Sequence, residues 1–363
     1  CKTSYKSVYR QKGGVLMKKI ILIISAALLA LGILGCAVTA LPVVTQGEKY
    51  MNDKLEQGME TFTYTFEDNE DNYESVQDNK YVGIDMNILS AKAVFSYNND
   101  GKTIVRYTTP DKNKKLECRI DKCELIIHET QESFLFPMLI FNLVPAKIEI
   151  SLPERYRCSN KLDYAKLFVT SGSVTGDMPS AVKSEITLAS GSVNATAQTG
   201  ELTLDVASGN VEITSRYARN SVMTDSLNVD CKSGQILLKD FSASRNEFRV
   251  SSGKVEATGI TGDIRSDVKS GSLSLYCTEN VGEAELDMSS GTTYMALSKI
   301  LSAKIDYSVS SGSVDVRIGE NSETLTKTGT VKYYSEAAED GYDTYIKTSV
   351  ASGKCVIEEI TEN

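Results

Sequence analysis

Only one histidine, His128, and no tryptophan occur in the 363 residues, and the motifs behind most hydrolytic chemistry are missing too. There is no Gly-x-Ser-x-Gly nucleophile elbow and no Gly-Gly-x-Gly-x-Asp calcium nonapeptide. Cys118, Cys123 and His128 form Cys-x4-Cys-x4-His, which lacks a fourth zinc ligand and the close spacing of a zinc site; a disulfide between Cys118 and Cys123 fits better than zinc, and the sequence leaves open whether the two pair. Eight cysteines in so long a chain are not a disulfide framework, and an inward thiol such as Cys231 or Cys355 serves as a small apolar residue. Basic excess is absent as well. Beyond residue 44 the chain has 33 Lys and Arg against 48 Asp and Glu, a net charge of −15, which excludes nucleic acid as a natural partner. No cofactor and no metal are expected.

Long apolar runs are scarce, with one exception. Ile20 to Val44 has no charge over 25 residues, more than the roughly 20 that cross a bilayer. Lys18 and Lys19 precede it and Glu48 follows, so the positive-inside rule places the C-terminal bulk outside the cell. Residues 17–44 thus read as an uncleaved signal anchor. Ile33-Leu34-Gly35-Cys36 offers an alternative, a lipoprotein box with Cys36 lipidated on the outer face of the membrane, but the run stays apolar after the cysteine. Residues 1–16 read as a non-native translated leader, because Lys12-Gly13-Gly14 can be encoded by a ribosome-binding sequence just before Met17. Residues 45–80 read as an acidic spacer, with a first strand near Met59 to Phe66.

What is abundant is a repeat. Ser-Gly recurs at Ser171-Gly172, Ser190-Gly191, Ser208-Gly209, Ser233-Gly234, Ser252-Gly253, Ser270-Gly271, Ser290-Gly291, Ser311-Gly312 and Ser352-Gly353. Successive serines are 19, 18, 25, 19, 18, 20, 21 and 41 residues apart, a solenoid period. Two before each serine stands an apolar residue, from Val169 through Cys231 to Val350, and the alternation resumes after the glycine, as in Val211 with Ile213. Each repeat therefore reads as strand, corner, strand, with one parity facing a shared interior. Glycine suits such a corner by tolerating positive φ, and serine by bonding to nearby backbone. Gly200-Glu201, Gly262-Asp263 and Gly282-Glu283 mark the opposite corner.

The expected fold is all-β, a single-stranded parallel β-helix, right-handed, with an irregular β-rich cap. The cap covers 81–160 and the solenoid 161–360, with an insertion at about 318–343. Within the cap, Val82 to Ile88, Ala93 to Tyr97 and Thr103 to Tyr107 alternate, with Asn98-Asn99-Asp100-Gly101 as a hairpin turn; Leu116–Arg119 pairs with Glu124–His128, and Ala146 to Leu152 leads into the repeats. Phe134 to Val144 is too short to span a membrane and reads as a plug on the solenoid's open end. Edges left open would template aggregation, so the regions before and after the repeats serve as caps.

These features resemble the bacterial putative-adhesin family of Ser-Gly-x-Val strand repeats. The resemblance rests on the membrane segment, Val82-Gly83-Ile84-Asp85-Met86-Asn87-Ile88, Leu152-Pro153 and the repeats, over about Tyr81 to Ile357. It implies a β-helical surface domain with adhesion or envelope-stress roles and no catalytic residue. Polysaccharide-cleaving enzymes also use β-helices, and Asp205, Asp230, Asp267 and Asp287 share the position three before the serine. That position has outward, polar parity and Arg249 interrupts the series, so a solvated face is the preferred reading. The expected function is a non-catalytic surface module whose partner is a cell-wall polymer or a surface protein. If 17–44 is an anchor, protease added to intact cells removes the region after Tyr81 and leaves a membrane-bound stub; incorporation of a fatty-acid probe at Cys36 would instead establish the lipoprotein.

Overall fold

Side chains that alternate with a period of two, broken near every twentieth residue by Ser-Gly, give each repeat two short strands that turn at the break. A computed structural model describes residues 59–67, 81–110, 114–131, 145–158, 162–216, 224–278, 281–298, 302–334 and 344–360. The chain divides into two compact units, Cys1–Gly58 and Met59–Asn363. The first unit, with the leader, the apolar span and Cys36, lies outside the described residues, as do most of the spacer, the apolar run 134–144 and residues 335–343.

In the second unit, each Ser-Gly rung contributes one strand before the serine and one after it. The Ser190 rung, for example, consists of Ala181–Leu188 and Ser192–Ala197. Strands before the serines build a 13-stranded sheet, hereafter the first sheet; those after build a 14-stranded second sheet. Along the rungs the pairing is parallel and in register, as in Leu188 beside Val206 and Val193 beside Val211. The inward parity of both sheets forms one apolar core running the length of the stack. Large and small side chains stand next to each other in it: Phe248, fully buried, adjoins Ser266 of the next rung. Each fully buried Val, Leu, Ile or Phe contributes about 1.5–3 kcal/mol.

Seven strands precede the Ser171 rung: β1 (Glu60–Glu67), β2 (Gly83–Ile88), β3 (Lys92–Asn98), β4 (Lys102–Thr109), β5 (Lys114–Asp121), β6 (Glu124–Gln131) and β7 (Lys147–Pro153). β2 and β3 make a rung of their own, stacked on the Ser171 rung, with Leu89-Ser90-Ala91 at its corner. β5 and β6 are the expected antiparallel pair, turning through Lys122 and Cys123, both at positive φ. The expected hairpin between β3 and β4 does not form. The turn is there, with Asn98 Nδ2 donating to Lys102 O over 2.9 Å, but β7 lies between the two strands, parallel to β3 and antiparallel to β4. A strand arriving later in sequence outcompetes the local partner because it extends the parallel stack with Ile148, Ile150 and Leu152 all buried.

The C-terminal end reorders the chain in the same way. The last repeat was expected to follow the Ser311 rung; instead Thr344–Val350 and Lys354–Glu359 sit between the Ser290 and Ser311 rungs in both sheets. Ser352 N donates to Ser289 O and Ser311 N to Ala351 O, each over 2.7 Å. The stretch after Ser311 supplies Asn321–Leu325 and Gly329–Tyr334, which pair antiparallel with the outermost rung and end both sheets. Antiparallel β1, β4 and β5 do so at the other end.

One carboxylate takes the place of a missing corner. In regular rungs the corner amides donate to carbonyls of the rung before, as Ala189, Ser190 and Ser192 do to Val169, Thr170 and Gly172. At the first corner Leu89, Ser90 and Ala91 N donate instead to Glu129 Oε2, at 2.9, 2.8 and 2.9 Å. Glu129 is only 2% exposed. Its removal would strand three amides, each costing about 1–3 kcal/mol when buried without a partner. Glu129→Ala is therefore expected to lower unfolding free energy by about 3 kcal/mol or more in a denaturant titration, and Glu129→Gln, which retains an acceptor oxygen, by clearly less.

Candidate functional site

The Ser-Gly corners line up as one edge of the stack, in the spatial order Ser171, Ser190, Ser208, Ser233, Ser252, Ser270, Ser290, Ser352, Ser311. The hydroxyls mostly reach back one rung: Ser190 Oγ donates to Thr170 O over 2.9 Å, Ser208 Oγ to Ala189 O over 2.9 Å, and Ser311 Oγ to Ala351 O over 3.0 Å. The serines are thus tied to the backbone ladder. The glycines are required for a different reason from the expected one. Positive φ is not it, since none of the nine adopts it. The rungs approach so closely that a Cβ on Gly253 would lie 2.3 Å from Cys231 Sγ and 2.6 Å from Gly234 O. Of the three opposite-corner glycines, Gly262 alone has positive φ, at 71°; Gly200 lies inside the strand Thr199–Val206.

The outward parity of the first sheet makes the most chemically varied surface. Register places side chains in columns about 4.8 Å apart from rung to rung. One column runs Glu201, Ser226, Arg245, Asp263; the next Asn228, Glu247, Arg265, Glu285, Lys347, Asp306. Charges alternate in both directions where Arg245, Glu247 and Arg249 on one rung meet Asp263, Arg265 and Asp267 on the next. Lys347 Nζ lies 2.8 Å from Glu285 Oε1 and Arg265 Nε 3.7 Å from its other oxygen; together they hold the Glu285 carboxyl below its ordinary range, the hydrogen bond from Lys347 contributing most. Asp306 accepts from Thr330, Tyr345 and Lys304 and falls to about 2. Between the columns lies an open groove of about 620 Å³, lined chiefly by Glu201, Arg245, Glu247, Asp263, Arg265 and Glu285. The Arg245 side chain is exposed there and makes no hydrogen bond or ion pair among the described residues.

The four aspartates do come together. Asp205 adjoins Asp230, Arg249 follows, then Asp267 and Asp287, in one column of the same face. Lys232 Nζ sits 2.9 Å from Asp205 Oδ1. Partial burial, then the charge of Glu285, raises the Asp287 carboxyl above its ordinary value. The register continues that column from Asp205 through Thr187, Phe168 and Asn87 to His128, four strands away, so no histidine or tyrosine adjoins an aspartate in it.

The cysteine and histidine readings part from the structure. Register puts Cys118 opposite Ile127, while Cys123 occupies the turn; both thiols are free, and of the two readings left open, paired or unpaired, the structure has them unpaired. Burial pushes Cys118 up to about 12. His128 Nε2 is 3.0 Å from Asp85 Oδ2, on the outward face of the first sheet. Among the described residues no three His, Cys, Asp or Glu side chains are grouped to hold a metal. Cys231, Cys277 and Cys355 are buried in the core, and burial raises the last two to about 12. Sequence reading missed the groove arginines, whose signal lay in comparing outward positions across repeats, and Glu129, which has no local signal. Among the described residues no helix is long and apolar enough to cross a membrane.

A family model described as Toastrack DUF4097 matches residues 83–350. Among curated proteins there is no match. Solved structures similar to the chain include a putative lipid binding protein from Parabacteroides distasonis, at 15% identity and TM-score 0.45, covering 83% of this chain and 96% of that one. A putative adhesin from the same organism has 14% identity and TM-score 0.44, with 83% and 97% covered. A putative adhesin from Bacteroides fragilis has 12% identity and TM-score 0.38, with the same coverage.

The close approach at the corner sets the expected mutant behaviour. Gly253→Val must push apart two rungs and should lose about 1–3 kcal/mol or more in thermal or chemical unfolding, whereas Lys254→Ala, on the exposed side of the same corner, should melt within a degree or two of the parent. Equal melting of Gly253→Val and the parent would refute the packing account.

Proposed function

Because the chain belongs to the Toastrack DUF4097 family, we propose that it is a non-catalytic, adhesin-like module held at the cell surface through Ile20–Val44 and binding its partner on the outward face of the first sheet. The observation that carries this reading is the groove of about 620 Å³ in a rigid, in-register sheet, where exposed Arg245 and Arg265 alternate with carboxylates. Side chains on a stacked backbone are pre-positioned, so a ligand that matches them loses little freedom to the protein's own ordering. Hydroxyls, amides and both signs of charge, with five carboxylates against two arginines, suit a neutral or amino-bearing polar polymer, such as a cell-wall polysaccharide, or a basic patch of a surface protein.

The aspartate column fits this reading better than an enzyme. Its members lie on an open face, Arg249 interrupts them and Lys232 already pairs with Asp205. The full chain is expected to sediment with isolated cell walls and to release no reducing sugar from them. Glu201→Lys with Glu247→Lys should weaken wall binding about tenfold or more while leaving the circular dichroism unchanged. Simultaneous change of Asp205, Asp230, Asp267 and Asp287 to Asn should preserve the fold; polymer cleavage that this change abolished would overturn the proposal.

A further inference from the structure

Four strands end the two sheets, and three of them are protected as edge strands usually are. β5 carries Lys114, Lys115, Glu117, Arg119 and Asp121; Asn321–Leu325 is only five residues long; Gly329–Tyr334 is short and carries Lys332. β1 is different. It is eight residues long, Glu-Thr-Phe-Thr-Tyr-Thr-Phe-Glu, with charge only at its two ends and no proline or lysine. Every residue between the glutamates favours a strand. Among the described residues it pairs with β4 alone, at the end of the second sheet, so along Thr61–Phe66 its other edge has amides and carbonyls that no described strand pairs.

The aromatic row of β1 is also incompletely covered. Tyr64 and Phe66 pack partly against the core, and Tyr64 OH donates to Leu116 O of β5 over 2.9 Å, joining the two sheets at this end. Phe62 lies over Tyr107, with ring centroids 6.5 Å apart, yet stays 45% exposed. A cleft of about 280 Å³ opens beside it, lined by Phe62, Tyr64, Tyr107 and Leu116 with Lys114 and Lys115.

Phe62-Thr63-Tyr64-Thr65-Phe66 reads the same in both directions. We propose that β1 pairs antiparallel with β1 of a second copy of this chain about a two-fold axis through Tyr64. In that register Phe62 faces Phe66 of the second copy, Tyr64 faces Tyr64, and Thr63 faces Thr65. A two-fold interface must be complementary to itself, and a palindromic strand is so at every position. The five central pairs are of favourable kind, aromatic with aromatic and threonine with threonine, and Thr61 faces Glu67 at either end. The pairing would satisfy the free edge, extend the second sheet across two molecules and cover the exposed part of the aromatic row. The site is remote from the polar groove in sequence and sheet, so dimerisation and ligand binding can fail independently.

Thr63 and Thr65 are exposed and point away from the core, which allows a test that spares the fold. The full chain in mild detergent, its protein mass measured by light scattering, is expected to be a dimer at micromolar concentration. Thr63→Glu with Thr65→Glu sets carboxylate opposite carboxylate at two places while leaving position 63 opposite Arg106 of β4 favourably charged, and should raise the dissociation constant about tenfold or more. Thr63→Glu with Thr65→Lys sets opposite charges across the same two places and should retain the dimer. All three proteins should melt alike. A monomeric parent, as would be found if another segment of the same chain covered β1, overturns the proposal, and so does a dimer that the paired carboxylates leave intact.

Discussion

The backbone ladder between rungs is the constraint on which everything else depends. Parallel strands alone would be interrupted at every turn, and interruptions leave amides that must find partners. Here the ladder continues around the corner: Ser N and the amide two residues on each donate to the rung before, and the serine hydroxyl shares the same carbonyl. The glycine between them lets the two backbones come close enough for this, since any side chain would strike the neighbouring carbonyl. Corner chemistry and stack spacing are thus a single requirement.

A stack held this way is weakest where it stops, and the chain's route responds to that. In a simple solenoid the first and last rungs are outermost and fray first. Here the rung made of β2 and β3 lies between the Ser171 rung and strands β6 and β7, while the Ser352 rung lies between two rungs that precede it in sequence. The outermost positions go to antiparallel strands, which need no further parallel partner. Glu129 belongs to the same logic, as its carboxylate supplies the acceptor that a further corner would have offered.

With the interior given over to packing and one edge to the corner ladder, chemical variety is left to the outward faces. Register turns separate repeats into columns, so residues some twenty apart in sequence become neighbours. Arg245 and Arg265 belong to different repeats with little local similarity, and only their stacking makes them one surface. The same stacking gathers the four aspartates, which by spacing alone already shared a position.

Much of this was legible from residues alone. The all-β solenoid, the inward parity, the nine corners and the pairing of β5 with β6 follow from local pattern, because period-two alternation and a repeated glycine act within one rung. Tertiary structure decided what depends on competition between rungs. Pattern near Asn98 to Gly101 called for a local hairpin, but β7 offered a better-buried partner. Spacing after Ser311 suggested a looped-out insertion followed by one more rung, but that rung entered between its predecessors, which no periodicity encodes. The glycines were readable as obligatory while the reason was not, since close approach is a property of two rungs and φ of one. Local sequence determined what each rung is; contacts between residues far apart in the chain decided where each rung stands.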